Sequence, residues 1–177
     1  METDMKSLAF TPVGIVRNAI STPFLKADEN GISATGRAGE IKQHLRNLTR
    51  SESRIIINPA QAGLLHGIDA YSHLVVLYWA HKVPLENRSA TQVRPMGRKD
   101  MPKVGIFCTS SPLRPNPVLT TVVRLLNHQD NILTVTGLDA VDQSPVIDIK
   151  PYVRAFYPDG ETEAPAWMNR IMAEINS

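Results

Sequence analysis

The stretch "VLTTVVRLLNHQDNILTVTGLDAV", Val118 to Val141, holds two runs rich in β-branched residues, joined by the polar segment Asn127 to Asn131. β-Branched side chains suit a pleated, half-buried surface, whereas Asn and Asp favour turns. The stretch reads as a β-hairpin, and its two strands should pair antiparallel.

Working outward, the same pattern recurs in "PVGIVRNAI" (12–20), "SRIIINP" (53–59), "HLVVLYWAH" (73–81), "KVGIFCT" (103–109) and "PVIDIKPYV" (145–153). Each is bounded by Gly, Pro, Asn or Asp, as strands are. With the hairpin's two runs this makes seven strands in one small domain, which favours a mainly β fold with a closed or nearly closed antiparallel barrel, because closure removes exposed edges. "AQAGLLHGI" after Pro59 suits a short helix. The tail "TEAPAWMNRIMAEIN" has Pro165 near a helix start and Trp167, Ile171 and Met172 at helical spacing. The expected organisation is a barrel domain over 1–155 and a helical extension over 156–177, packed on the barrel.

A chain of 177 residues suits one domain with a real core. The net charge of +2 permits an anionic partner without demanding one. The single cysteine, Cys108, excludes an internal disulfide framework. No apolar run is long enough to span a bilayer or serve as a secretory signal, so a soluble cytoplasmic protein without a membrane partner is expected. The five histidines are scattered, which argues against structural zinc or another metal. There is no GxGxxG, P-loop or nucleophile elbow, which argues against a Rossmann-type site.

Two loops invite a functional reading. In "SPLRPNP" (111–117), the prolines at 112, 115 and 117 restrict Ser111, Arg114 and Asn116. Such stiffness suits either a rigid turn or a loop that presents one guanidinium and one carboxamide in fixed directions. The polar segment Leu25 to Ser53 has no strong periodicity and reads as a long loop. Gly36, Arg37 and Gly39 would let its backbone close over a ligand, with Arg37 meeting substrate; disorder is the alternative.

Polar groups also end several apolar runs, as they do at a barrel mouth. His81 and Lys82 follow "LYWA", and Asp139, Asp142, Asp148 and Lys150 interrupt "GLDAVDQSPVIDIKPY". Asp148 and Lys150 lie two apart on one strand, where a structural ion pair is an equal alternative.

"DAYSHLVVLYWAHK", "VGIFCTSSPLRPNP" and "LDAVDQSPVIDIKPY", in this order, resemble the TrmO/YaeB/TsaA-like family of S-adenosylmethionine-dependent tRNA methyltransferases. The likeness runs from about Phe10 to Val153. It implies a non-Rossmann β-barrel, a homodimer with S-adenosyl-L-methionine near the subunit interface, and N6-methylation of threonylcarbamoyl-adenosine beside the tRNA anticodon. Carried over by position, cofactor contacts fall on His81, Lys82, Ser110, Thr120, Thr136, Gly137, Leu138 and Asp139. Candidate substrate contacts, read from the residues themselves, are Arg37, Arg114, Asn116, Lys150 and Tyr152. The family's usual Thr-Arg-Ser-Pro is Thr109-Ser110-Ser111-Pro112 here, so a bidentate cation has become a hydroxyl. Its usual Asp-Gly-Thr-Pro is Asp142-Gln143-Ser144-Pro145.

Methyl transfer to a urea-like N6 calls for alignment and for a group that polarises its N–H, and Asp139 and Asp148 are the candidates. Lys82, Arg94, Arg98 and Lys99 are candidates for sequence-independent phosphate contacts. Two classes remain: a methyltransferase, or an S-adenosylmethionine-binding barrel with a different acceptor or none.

Overall fold

The computed structural model describes residues 8–23, 25–28, 31–34, 43 and 46–176. Its strands are β1 (Gly14–Arg17), β2 (Leu25–Asp28), β3 (Gly31–Ala34), β4 (Glu52–Ile57), β5 (His73–Trp79), β6 (Gln92–Val93), β7 (Val104–Gly105), β8 (Val118–Gln129), β9 (Ile132–Thr136) and β10 (Pro145–Pro151). Six of them close into an antiparallel barrel in the order β1, β10, β5, β8, β9, β4.

The alternation read from sequence becomes the inside and outside of this barrel. Val16, Ile55, Ile57, Leu74, Val76, Tyr78, Val123, Leu133, Val135 and Val146 point inward and form the core. Between them Arg17, Arg54, Val122 and Arg124 are exposed on the outer wall, as a period of two requires. β8 is long because it serves two neighbours: its first half pairs with β5 and its second with β9, across a register shift between Leu125 and Asn127. The hairpin turn is Asp130-Asn131, with Asp130 at φ 55, a left-handed conformation that Asp tolerates. Gly14 is required where β1 meets β4, since a Cβ there would lie 2.4 Å from the carbonyl oxygen of Ile56.

Three expectations change. "KVGIFCT" is not a barrel strand: only Val104–Gly105 pairs, with β6, and Ile106–Cys108 turns as a short 3-10 helix. Phe107 and Cys108 are exposed there, so the run's composition suits a strand but only Ile106 and its partners have a core to face. Within the segment read as a long loop, β2 and β3 pair as a hairpin. "AQAGLLHGI" gives a 3-10 turn, Pro59–Leu65, capped by the Asn58 side chain.

The tail forms helix α1 (Ala166–Asn176), starting directly after Pro165. Ile171 is buried, but Met172 is exposed, so the apolar stripe runs through Trp167, Ile171 and Ile175. Arg170 and Glu174 on α1 bond Asp100 and Arg98, which fixes the helix to the 98–100 turn.

Candidate functional site

The strand ends at one mouth of the barrel bring the polar groups together. They are the ends of β1, β5 and β9 and the starts of β4, β8 and β10, each followed or preceded by a loop. The chain leaving β9 turns at Gly137 (φ 84), sends the Leu138 side chain into the barrel core, and exposes Asp139. Tyr78, inward-facing near the end of β5, donates its phenol to the Asp139 carbonyl and lies 3.4 Å from Thr121 Oγ1 on β8. Burial, and then the Asp139 charge, raises the Tyr78 phenol far above its ordinary range, so it remains a donor.

Asn18, directly after β1, ties this mouth together. Its carboxamide nitrogen donates to the Ala140 carbonyl at 2.8 Å and to Ser53 Oγ at 3.1 Å, and its oxygen accepts from the Ile20 amide at 3.0 Å. Its own amide donates to Asp142 at 3.1 Å. That bond, helped by Arg17, holds the Asp142 carboxyl below its usual range. His81 Nδ1 meets Ser144 Oγ at 3.3 Å, and Lys82 Nζ donates to the Ser21 carbonyl at 2.9 Å. Partial burial, and next the adjacent Lys82, lowers the His81 imidazole, so it is neutral at neutral pH.

The proline-rich loop sits beside this mouth. Leu113 is buried with Val83, Val93 and Ile106 in a second small core. Arg114 donates to the carbonyls of Thr109 at 2.5 Å and Ser111 at 2.9 Å, clasping its own loop. The Pro117 carbonyl accepts from the Ala80 amide at 2.9 Å, which docks the loop next to His81. Ser110 and Asn116 stand exposed on it.

The structure thus brings His81, Lys82, Thr136, Gly137, Leu138 and Asp139 to one mouth, Leu138 by its backbone. Thr120 faces outward on β8, and its inward neighbour Thr121 is the one near Tyr78. Asp148 and Lys150 form an ion pair at 2.5 Å, both substantially exposed, opposite Leu77 and Val75 of β5. Tyr152 follows β10 at its other end, stacked on Tyr157 at 4.9 Å and beside His73. Arg37 lies outside the described residues. Three of the residues read as phosphate contacts are engaged within the chain: Lys82 as above, Arg94 on the Met101 carbonyl at 2.5 Å, and Arg98 on Asp100 and Glu174.

Sequence reasoning missed Asn18, Ser53, Tyr78, Thr121 and Ser144. The available signal for Asn18 was a carboxamide that interrupts an apolar run just after an arginine. For Tyr78 it was a phenol in an inward register position, which must find a partner when buried.

Residues 21–157 match the tRNA-methyltransferase O N-terminal domain family. The chain belongs to that family. A probable S-adenosyl-L-methionine-binding protein of Methanothermobacter thermautotrophicus is 39% identical over 150 residues, covering 85% of this chain and 93% of that one. The tRNA (adenine(37)-N6)-methyltransferase of Escherichia coli is 32% identical over 155 residues, covering 84% of this chain and 59% of the relative. Among solved structures, TrmO from Pseudomonas aeruginosa superposes with a TM-score of 0.67 at 22% identity, over 94% of this chain and 64% of that one. The barrel is therefore a TrmO-type barrel, and the chain spans roughly three-fifths of the length of these two bacterial proteins.

Proposed function

We propose that this chain is an S-adenosylmethionine-dependent methyltransferase acting on an adenine N6 in tRNA. The observation that carries the reading is the convergence of His81, Lys82 and Thr136–Asp139 at one barrel mouth, within a family whose relatives include an enzyme named for that reaction. The mouth fits the cofactor in one testable respect. Nothing lies within 4 Å of a Cβ built on Gly137, so the chain at that residue is open to close approach by a planar base.

When bound, the cofactor supplies a methyl group on a sulfonium, open to in-line displacement by a nitrogen lone pair. The chain's own contribution is placement and proton transfer. The Tyr78 bond to the Asp139 carbonyl and the Asn18 bond to the Ala140 carbonyl hold the 136–140 segment against the barrel. His81 presents an uncharged imidazole beside it. The exposed Asp139 carboxylate accepts the proton that the acceptor nitrogen loses as its bond to carbon forms. Asp148, paired to Lys150 on the outer wall, has a different setting, so the base role falls to Asp139.

Threonylcarbamoyl-adenosine beside the anticodon is the proposed acceptor, and a cytoplasmic homodimer the proposed working form. Both rest on the family resemblance. A second reading, a cofactor-binding barrel without this acceptor, is favoured by Ser110, a hydroxyl where the family carries a cation. It agrees with the name of the archaeal relative, which specifies binding only.

The test is calorimetric titration of the protein with S-adenosylmethionine, followed by transfer of labelled methyl to tRNA lacking the modification. Binding with transfer supports the enzyme. Binding without transfer to any tRNA leaves the binding module, and no binding removes both.

A further inference from the structure

The cations expected to meet phosphate are largely engaged inside the chain, whereas other arginines lie exposed on the outer wall. On the outer wall beside the candidate mouth, Arg17 at the end of β1 stands directly opposite Arg54 on β4. Like charges facing each other across a ladder destabilise a sheet, unless an anion lies between or over them. Asp142 answers Arg17 at 3.5 Å, and Arg54 makes no ion pair among the described residues. Two strands from β4, Arg124 on β8 lies outward and likewise makes none. Arg50 is exposed in the turn entering β4.

The row that links these arginines is polar, although Ile15, Val122 and Leu126 are exposed beside it on β1 and β8. Arg17, Arg54, Thr134 and Asn127 are successive cross-strand neighbours on β1, β4, β9 and β8. Strands are spaced about 4.8 Å apart, so this row of donors crosses roughly 14 Å of surface. Among the described residues, the carboxylates along it are Asp142 and Glu52, the latter opposite Thr136, and the four arginines outnumber them. The row also borders the mouth, because Arg17 precedes Asn18, Arg54 follows Ser53, and Arg124 pairs with Thr136, one residue before Gly137.

We infer that the outer wall formed by Arg17, Arg54 and Arg124, with Thr134 and Asn127 between them, is the surface that carries the phosphate backbone of the RNA substrate toward the Asp139 mouth. The inference rests on the proposed tRNA substrate and names where that substrate is held. Guanidinium groups suit it, since they present paired donors to phosphate oxygens. Contacts of this kind fix register without reading sequence.

The experiment measures the affinity of the full chain for an unmodified tRNA transcript across a salt series, for the wild type, for Arg54→Gln/Arg124→Gln and for Lys103→Gln. Lys103, exposed before β7, serves as the control. Each phosphate contact contributes about 0.7 to 0.9 to the slope of log affinity against log salt, so the double variant should lose roughly 1.4 to 1.8 of slope. It should bind about ten-fold or more weaker near physiological salt, while Lys103→Gln stays at wild type and cofactor titration is unchanged in all three. Arg54→Glu, a single reversal on the same wall, should weaken binding further still. Wild-type affinity and slope in the double variant and the reversal, with tRNA bound normally, would overturn the wall and leave the proposed substrate intact. A wild type that binds no tRNA would overturn the substrate, and the wall with it.

Discussion

The Tyr78 phenol, buried at the end of β5, donates to the backbone carbonyl of Asp139 across the barrel mouth. This bond joins the barrel's interior to the loop that carries the proposed base. Removing only the hydroxyl, as Tyr78→Phe, keeps the ring in the core and frees the loop. The loss should be about 1 to 2 kcal/mol of stability by urea denaturation. Cofactor affinity should fall by more than that loss alone would predict, because the 136–139 backbone is no longer held. Equal affinity in Tyr78→Phe would mean that the loop holds its shape without the phenol.

Gln143 occupies φ 67, in the left-handed region that side chains other than Gly enter at a cost. The family pattern places Gly at this position. Gln143→Gly should therefore relieve strain of the order of 1 kcal/mol, offset in part by the greater entropy of an unfolded Gly. The expected result is a thermal midpoint raised by up to about 2 °C. Gln143→Ala removes the same side-chain contacts and keeps the strain, so it should show no such rise.

Gly14 makes the opposite case. A methyl group there would meet the Ile56 carbonyl oxygen at 2.4 Å, a backbone atom that cannot swing away. Gly14→Ala should cost about 1 to 3 kcal/mol in urea denaturation, by pushing β1 off β4. A neutral result would show that the β1 edge shifts freely.

The fold was legible where periodicity and partners agree. The β5 run alternates inward Leu74, Val76 and Tyr78 with outward residues, and it became a wall of the barrel. "KVGIFCT" has the same composition, but strand formation also needs a neighbour with free backbone groups, and among the described residues it pairs only with the two-residue β6. The β2–β3 hairpin was missed although Asn30-Gly31 is a turn signal, because its flanks carry little apolar alternation. At the candidate mouth, the residues that follow strand ends were legible because they break apolar runs. Asn18 and Ser144 act through hydrogen bonds to distant backbone and to His81, and that pairing is set by barrel closure rather than by local sequence.

Two histidines should give pH dependences of opposite sign. Asp69, bonded to His128 Nδ1 at 2.9 Å, raises the His128 imidazole above its ordinary 6.5. Its contribution to stability is full below 6.5 and is lost as pH rises through the higher folded value. His81 is lowered from 6.5 by burial and by Lys82, so its contribution is present above 6.5 and is lost as pH falls through the lower folded value. Urea midpoints between about pH 5 and pH 8.5 should therefore lose their alkaline decline in His128→Asn and their acid decline in His81→Asn. An alkaline decline unchanged in His128→Asn would show that the Asp69 pair does not persist in solution.

Asp139 and Asp148, both candidates for the base, occupy different parts of the barrel. Asp139 stands at the mouth, on the loop held by Tyr78, whereas Asp148 lies on the outer wall with Lys150 Nζ at 2.5 Å. A base must reach the proton it takes, so the two substitutions should part in kinetics. Asp139→Asn keeps the shape of the side chain and removes its basicity. It should lower kcat for methyl transfer to tRNA by roughly 10² to 10⁴, with cofactor affinity changed far less. Asp148→Asn should leave kcat within about two-fold, because an exposed ion pair contributes little. The reverse outcome, a large loss for Asp148→Asn and little for Asp139→Asn, would move the acceptor nitrogen to the outer wall of β10. The methyl would then be transferred at a surface where a second copy of the chain could complete the site, and the mouth would hold only the cofactor.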